Sequence, residues 1–365
     1  MSGDVPVTAF LITFAIAFGL SLALTPLAGL LGKRLGLLDE PRGRHRHTRP
    51  VPRTGGLPLY VAFVVAVLVA QKLPVERFDP KEIIRLTGLL LGGTFIFLFG
   101  LLDDWLDLSP LPQYLAQLLA AAIAVTFLIF IEYVNNPLTN QQTPAFPYVV
   151  TVTVSLFWLG LMMNTVNWLD GLDGLASGVV IVACVVLFVN AAFRLNPPQM
   201  SVALLPIALG GAALGFLPFN FHPARIFLGT SGALLLGFSL GSLSIIGGAK
   251  MATILFAMGL PLLDLAWQIV ARLRRGQNPV QGDRGHLHFR LLDLGLSQRQ
   301  IVLGYYAFCA AFGTLTLVVS SRLFKLVALL AMGVLVAIGF ALLARRMDAD
   351  ANPSLVIDNP PEDPP

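Results

Sequence analysis

The stretch NTVNWLDGLDGLASG, residues 164–178, interrupts an apolar part of the chain with polar side chains at intervals of three residues. These side chains are Asn164, Asn167, Asp170 and Asp173. On a regular helix, each step of three residues turns about 60° backwards, so neighbours touch but the first and last members point in opposite directions. One straight helix therefore cannot aim all four at one point. Gly171 and Gly174 predict that the backbone breaks within this stretch.

The composition of the 365-residue chain excludes a soluble globular protein. Hydrophobic residues make up 56% and charged residues 12%, and the mean hydropathy is +0.78. Such a chain has too few polar side chains to cover a soluble surface, which predicts an integral membrane protein. The two cysteines, Cys184 and Cys309, lie in separate apolar runs. They offer neither a disulfide framework nor a cysteine metal site.

Eleven apolar segments approach the length of about 20 residues that a membrane-spanning helix needs. They are residues 7–31, 57–72, 84–102, 112–131, 148–166, 174–193, 200–219, 231–248, 251–271, 300–320 and 323–343. We therefore predict an all-α polytopic membrane protein with about eleven transmembrane helices. The first segment is predicted to be a retained span, because no positive n-region precedes it. Residues 1–346 then form one membrane domain, and the acidic, proline-rich residues 347–365 form a disordered tail.

Lysine and arginine cluster in two loops, residues 33–56 and 272–299. The positive-inside rule places both loops in the cytoplasm. With eleven spans, the N-terminus then lies outside and the C-terminus lies in the cytoplasm. The same threading brings five motifs to the cytoplasmic face: the basic first loop, DDWLD at 103–107, the stretch at 164–173, FNFHPARIFLGTSG at 219–232 and GDRGHLHFRLLDLG at 282–295. Their convergence predicts one shared site.

Acidic residues gather at this predicted membrane edge. Asp103, Asp104 and Asp107 end a span, and a carboxylate at bilayer depth costs roughly 2.5 to 3.5 kcal/mol on insertion scales. Such acids are either interfacial and solvated, or joined by a cation or a basic side chain. With Asp170 and Asp173 they form an oxygen-rich set, which suits a hard ion such as Mg²⁺ together with a phosphate group.

His286 and His288 lie in a segment that also holds Asp283, Arg284 and Arg290. Arginine offers a fork of donors to phosphate oxygens, so this loop is predicted to bind an anionic group. Two alternatives stay open at this point. The histidines are simply solvated, or they form a zinc site with the two histidines of the first loop, His45 and His47.

Taken together, the five motifs resemble those of the polyprenyl-phosphate sugar-1-phosphate transferases, often filed as glycosyltransferase family 4. This group holds the phospho-MurNAc-pentapeptide translocase and the polyprenyl-phosphate GlcNAc-1-phosphate transferases. The pattern NxxNxxDGxDG at 164–174 is the most specific part of the resemblance. The resemblance implies transfer of a sugar 1-phosphate, of an N-acetylhexosamine, from a UDP-sugar to a polyprenyl phosphate. UMP is released, and the product serves cell-wall or surface polysaccharide synthesis at the plasma membrane.

The resemblance also implies roles for individual residues. Asp103 and Asp104 handle the polyprenyl phosphate, one of them as base or as organiser of the attack, while Asp170 and Asp173 line the nucleotide-sugar side. Asn167 faces Mg²⁺. The substrate-binding set implied by these motifs is Arg44, His45, His47, Asn164, Asp283, Arg284, His286 and His288. The expected partners are a polyprenyl phosphate lipid, a UDP-sugar and the membrane, with no nucleic acid; a homodimer is plausible by resemblance.

The sequence departs from the family pattern at three positions. FxGDxGS reads FLGTSGA, which places Thr230 where the resemblance expects a metal-binding aspartate. A neutral hydroxyl is a weaker Mg²⁺ ligand, so the metal, Mg²⁺ or Mn²⁺, is expected to bind less tightly unless Asp170, Asp173 or the substrate phosphates compensate. His45 replaces a lysine of the first loop, and Phe289 replaces the third histidine of HxHH.

Three functional hypotheses follow from the sequence. The first is an active transferase, and the second is a member with weakened catalysis that binds lipid phosphate or nucleotide sugar. The third is a protein of a different membrane class. It is either an intramembrane prenyltransferase, as the DDxxD pattern at 103–107 suggests, or an ion-coupled transporter with buried acids. A prenyltransferase would need a second acid-rich diphosphate motif. A transporter would be expected to carry its acids in mid-span rather than at one edge.

Overall fold

The computed structural model describes residues 6–40, 50–139, 141–246, 251–274, 276 and 285–351. Within this part the chain forms thirteen α-helices and one short hairpin, which confirms the predicted all-α polytopic membrane class. The helices are α1 Val7–Leu35, α2 Gly56–Ala70, α3 Glu82–Leu106, α4 Pro110–Thr126, α5 Tyr148–Leu169, α6 Leu175–Val189, α7 Met200–Asn220, α8 Gly229–Ile245, α9 Met251–Ala257, α10 Gly259–Arg274, α11 Leu287–Asp293, α12 Gln298–Val318 and α13 Arg322–Ala351.

Each predicted apolar segment corresponds to helical structure, but the helices differ in length. Seven helical segments are long and apolar enough to cross a membrane: α1, α3, α5, α7, α12, the part of α13 up to Leu342, and α6 together with the π-helical turn Asn190–Arg194 that continues it. Helices α2, α4 and α8 are shorter apolar helices. The ninth segment, predicted as one span over 251–271, is two helices, α9 and α10, bent by 80°. Proline is tolerated in the first turn of a helix but not in its interior, so Pro261 favours a fresh start of α10 at Gly259.

Two further features differ from the predictions. A two-stranded antiparallel hairpin, β1 Leu38–Asp39 and β2 Val51–Pro52, closes the base of the first loop. At the other end of the chain, α13 continues past the predicted domain boundary at residue 346 to Ala351; the disordered tail stays a prediction. A helix that is already formed by a long apolar segment extends through polar residues at little cost. The remainder of the predicted tail lies outside the described residues.

Helix α8 forms the centre of the bundle, with every residue from Ser231 to Ile245 buried. Small residues let its neighbours approach closely. A Cβ added to Gly237 would lie 2.6 Å from Cα of Met163 in α5, and Gly100 of α3 packs against the backbone of Ser231. Both neighbours run antiparallel to α8. The C-terminal ends of α3 and α5 therefore meet at the N-terminal end of α8.

We predict that Gly237→Ala destabilises the contact between α5 and α8. The added methyl group meets backbone atoms of Met162 and Met163, which cannot rotate away, and such overpacking typically costs about 1 to 3 kcal/mol. The thermal unfolding temperature in detergent micelles should fall. Gly160→Ala in α5 is the control, because a Cβ there meets no atom within 4 Å. Equal unfolding temperatures for the two variants would contradict the close packing.

Candidate active site

The carboxylate of Asp104 caps the N-terminus of α8. Its Oδ1 accepts a hydrogen bond from the backbone N–H of Thr230 at 2.7 Å, and its Oδ2 accepts from the N–H of Ser231 at 3.0 Å and from its Oγ at 2.6 Å. The first N–H groups of a helix lack partners within the helix, and the helix dipole favours a negative charge there. Gly229 allows this approach, because it has a φ of 74° and a Cβ would lie 2.7 Å from Oδ2.

Asp103 is buried and is held by a neutral amide. Nε2 of Gln113 donates to both of its carboxylate oxygens, each at 3.0 Å. One turn further along α4, Gln117 exchanges hydrogen bonds with Asn164, at 2.6 Å and 3.4 Å. The two glutamines therefore connect the end of α3 to α5. Sequence reasoning missed them, although two glutamines at i and i+4 in an apolar helix are a signal for a shared polar face.

Asp173 belongs to the turn that follows α5. Its Oδ2 accepts from the backbone N–H of Ala224 at 3.0 Å and lies 2.8 Å from Nδ1 of His222. Asn220 joins the same two segments, because its Oδ1 accepts from the N–H of Gly174 at 3.1 Å. Gly174 has a φ of 80°, which places the predicted backbone break at this residue. Of this group, only Asp173 was predicted as a site residue; the structure adds His222 and Asn220.

Asp170 ends α5 and differs from the other three carboxylates. It makes no hydrogen bond to any residue that the structure describes. Burial raises the pKa of Asp170 well above its usual range, and the carboxylates of Asp104 and Asp173 raise it further, while Arg53 lowers it. Arg53 is itself paired with the buried carboxylate of Asp39. The site therefore keeps one acid that is short of positive charge.

The HLH segment contacts the turn after α5. A Cβ added to Gly171 would lie 2.6 Å from Nε2 of His288, so only glycine allows this approach. The ring of His286 lies 5.4 Å from that of Trp168 and is stacked on His288 at 5.6 Å. Burial lowers the pKa of His288 to about 3, with His286 lowering it further and Asp264 opposing the shift. Burial thus favours the neutral form of His288.

The structure brings most of the described site residues together. Asp103, Asp104, Asn164, Asn167, Asp170, Asp173, Thr230, His286 and His288 lie on segments that contact one another at this end of the bundle. Asp104 and Thr230 meet through the threonine's backbone rather than its side chain. The other five predicted residues, Arg44, His45, His47, Asp283 and Arg284, lie outside the described residues.

The acidic residues fit a hard cation only in part. Across the described ranges, no three His, Cys, Asp or Glu side chains are grouped so that they could hold a metal ion. Asp103, Asp104 and Asp173 already accept hydrogen bonds from protein donors, which leaves Asp170 as the carboxylate in need of a partner. Asn167 precedes it by one helical turn. Mg²⁺ often takes one or two carboxylates and completes its shell with water and substrate phosphates, and this donor set fits that pattern.

Comparisons with known proteins point to one group. Residues 86–248 match the profile of Glycosyl transferase family 4. The chain is 32% identical to the decaprenyl-phosphate N-acetylglucosaminephosphotransferase of Mycobacterium leprae (strain TN), over 77% of this chain and 76% of the relative. It is 30% identical to the probable undecaprenyl-phosphate N-acetylglucosaminyl 1-phosphate transferase of Bacillus subtilis (strain 168), over 85% of both chains. It is also 33% identical to a phospho-N-acetylmuramoyl-pentapeptide-transferase of Listeria monocytogenes, over 64% of this chain and 74% of the relative.

We predict that Asp170→Asn stabilises the protein at neutral pH. Because the pKa of Asp170 is raised in the folded state, its contribution to stability is present at acid pH and is lost as the pH rises towards that pKa. Replacing the carboxylate should raise the unfolding temperature at about pH 7.5, with a smaller gain at about pH 5.

Asp107→Asn is the matched control for this measurement. Asp107 is exposed at the end of α3 with a φ of 52°, a conformation that asparagine also adopts readily. It should show no gain at either pH. A fall in the unfolding temperature of Asp170→Asn at neutral pH would contradict the prediction.

Proposed function

This chain belongs to glycosyl transferase family 4, the polyprenyl-phosphate sugar-1-phosphate transferases that its motifs predicted, and from that premise we propose that it transfers N-acetylglucosamine 1-phosphate to a polyprenyl phosphate. The observation that carries the proposal is the similarity to relatives named for this activity over more than three quarters of the chain. The donor is a UDP-sugar, and the second product is UMP. The lipid-linked product would enter cell-wall or surface polysaccharide synthesis.

The position of the site supports this proposal. The acids gather where α3 and α5 end and α8 begins, which is one end of the helical bundle. A polyprenyl phosphate keeps its tail in the bilayer, whereas a sugar nucleotide arrives from water. A site at a membrane edge can meet both substrates.

We propose an orientation in which this edge faces the cytoplasm. Lys33 and Arg34 end α1, and Arg272 and Arg274 end α10, so basic residues flank the spans at two predicted cytoplasmic boundaries. If α9 and α10 form one broken span and the short helices α2, α4 and α8 also cross the plasma membrane, the chain has eleven spans. The N-terminus then lies outside and the C-terminus inside.

In the proposed reaction, an oxygen of the polyprenyl phosphate attacks the β-phosphorus of the UDP-sugar. The bond from that phosphorus to the bridging oxygen breaks, and UMP leaves with the bond's electron pair. A phosphate monoester has a second pKa of about 6 and is largely ionised at neutral pH, so the attack needs little help from a general base. The protein's task is therefore to position anionic groups and to offset their charge.

Asp103 and Asp104 have different surroundings and are proposed to do different work. Asp104 accepts three hydrogen bonds from the first turn of α8, so it organises the backbone around Thr230. Among the residues that the structure describes, Asp103 accepts from the amide of Gln113 alone, so it keeps lone pairs for the attacking phosphate. Arg53 lies close enough to lower the pKa of Asp170 and supplies a cation at the same place.

We propose that Mg²⁺, or Mn²⁺, binds between Asn167 and Asp170 with the hydroxyl of Thr230 nearby. When bound, the ion would offset the charge of the substrate phosphates. Because residue 230 is not a carboxylate, the protein alone supplies few charged ligands, and the nucleotide's phosphates must complete the shell. A transferase with weakened catalysis is the second candidate function. The observation that favours it is that, among the residues the structure describes, no three His, Cys, Asp or Glu side chains are grouped so that they could hold a metal ion.

We expect the purified protein to release UMP from UDP-N-acetylglucosamine only when polyprenyl phosphate and Mg²⁺ are both present. Asp103→Asn and Asn167→Ala should each lower the rate by at least about 10²-fold, since each removes charge or orientation from the phosphoryl-transfer centre. Asp107→Asn, on the same helix end but exposed, should stay near the wild-type rate. Near-normal rates for both site variants would overturn the site assignment.

Thr230→Asp tests the place of the metal. A carboxylate at residue 230 would add a second negative charge at the residue whose backbone N–H binds Asp104. Mg²⁺ should therefore raise the unfolding temperature of this variant at lower concentrations than it does for the wild type. Thr230→Asn is the neutral control and should behave like the wild type. If the wild type binds substrates without turnover and Thr230→Asp releases UMP, the weakened-transferase candidate is correct.

A further inference from the structure

A second polar centre lies beneath the HLH segment, outside the acids described above. Asp264 of α10 is buried, with 3% of its surface exposed. Its Oδ2 lies 3.0 Å from Nδ1 of His286, and its Oδ1 accepts a hydrogen bond from the backbone N–H of Leu287 at 3.0 Å. One carboxylate therefore holds both a histidine ring and the start of α11.

We propose that Asp264 is a positioning residue that acts through His286: it fixes the tautomer and orientation of the ring so that Nε2 is offered to the diphosphate of the sugar nucleotide. The inference rests on the proposed function for its substrate. Asp264 itself is assigned no contact with substrate.

The tautomer follows from hydrogen-bonding chemistry. An ionised carboxylate only accepts hydrogen bonds, so Nδ1 of His286 must carry the hydrogen that it shares with Asp264. Nε2 makes no hydrogen bond to any residue in the part of the chain that the structure describes. A phosphate oxygen also only accepts, so Nε2 carries a hydrogen when it meets one. The buried negative charge of Asp264 then stabilises the resulting imidazolium.

Neighbouring contacts hold the ring and its backbone in place. The carbonyl oxygen of Gly285 accepts from Nε of Arg290 at 2.7 Å and from the side chain of Gln268. The ring of Trp168 lies beside that of His286, and the guanidinium of Arg272 stands 5.7 Å above the Trp168 ring. The histidine is thus fixed before any ligand arrives, which lowers the entropy lost when the ligand binds.

The competing explanation is that Asp264 only caps α11. Asp264→Asn separates the two roles. An asparagine at this position can still accept from Leu287 through its single side-chain oxygen, but its NH₂ group then faces Nδ1 and forces the ring hydrogen to Nε2. A charge-stabilised imidazolium is lost while the helix start is kept.

The kinetic test is a double-mutant cycle of UMP release with Asp264→Asn, His286→Ala and the double variant. If Asp264 acts through His286, Asp264→Asn should lower kcat at least about tenfold with KM for polyprenyl phosphate nearly unchanged, and the double variant should be no slower than His286→Ala. Losses that multiply, or an unchanged kcat in Asp264→Asn, would overturn the proposal.

The control for a simple capping effect is Ser297→Ala. Ser297 caps the neighbouring helix α12 by accepting from the N–H of Gln300, and it is not bonded to His286. This variant should keep the wild-type kcat. An equal loss of kcat in Ser297→Ala and Asp264→Asn would show that helix capping, and not the histidine, is responsible.

A spectroscopic test separates this proposal from the proposed function. The chain has five histidines, so ¹⁵N-histidine labelling in detergent micelles gives a simple spectrum, and the His286 signals are those lost in His286→Ala. The wild type should show a protonated Nδ1 at His286, even if it releases no UMP. An unprotonated Nδ1 would refute the role of Asp264, whereas absent UMP release with a protonated Nδ1 would refute only the reaction.

Discussion

The site depends on one interaction, the cap that the carboxylate of Asp104 places on α8. Helix α8 is buried from Ser231 to Ile245, and buried backbone N–H groups need an acceptor from the protein. Asp104 supplies that acceptor from the end of α3. The close antiparallel packing of α3 and α5 against the small residues of α8 then brings the remaining acids to the same end.

The four acids of the site differ in the hydrogen-bond partners that surround them. Gln113 holds Asp103, α8 holds Asp104, and His222 with Ala224 holds Asp173. In the part of the chain that the structure describes, Asp170 has no hydrogen-bond partner, and its burial raises its pKa and makes its charged form costly. A residue that is costly for stability yet sits where several polar motifs meet is typical of a functional group whose partner is a ligand.

Thr230 changes the electrostatics of this centre. A carboxylate at residue 230 would add a second negative charge to the helix turn whose N–H groups bind Asp104, and like charges close together favour a cation between them. With threonine, the first turn of α8 is satisfied by Asp104 alone, and the centre is less dependent on a resident ion. If Mg²⁺ binds here as proposed, the phosphates of the substrate would supply the rest of its negative ligands.

The sequence by itself determined the membrane class and the family, because apolar length and ordered motifs are local properties of the chain. It also predicted the break near Gly174, since glycine at a positive φ is a local requirement. Only the tertiary structure decided which residues interact. Asp104 binds Thr230, 126 residues away in the sequence, and Asp264 lies against His286, 22 residues away. No periodicity links such residues, because the packing of whole helices sets their distance. In the sequence, Asp264 is a lone aspartate in an apolar segment, and its role becomes clear only when the fold places it beside His286.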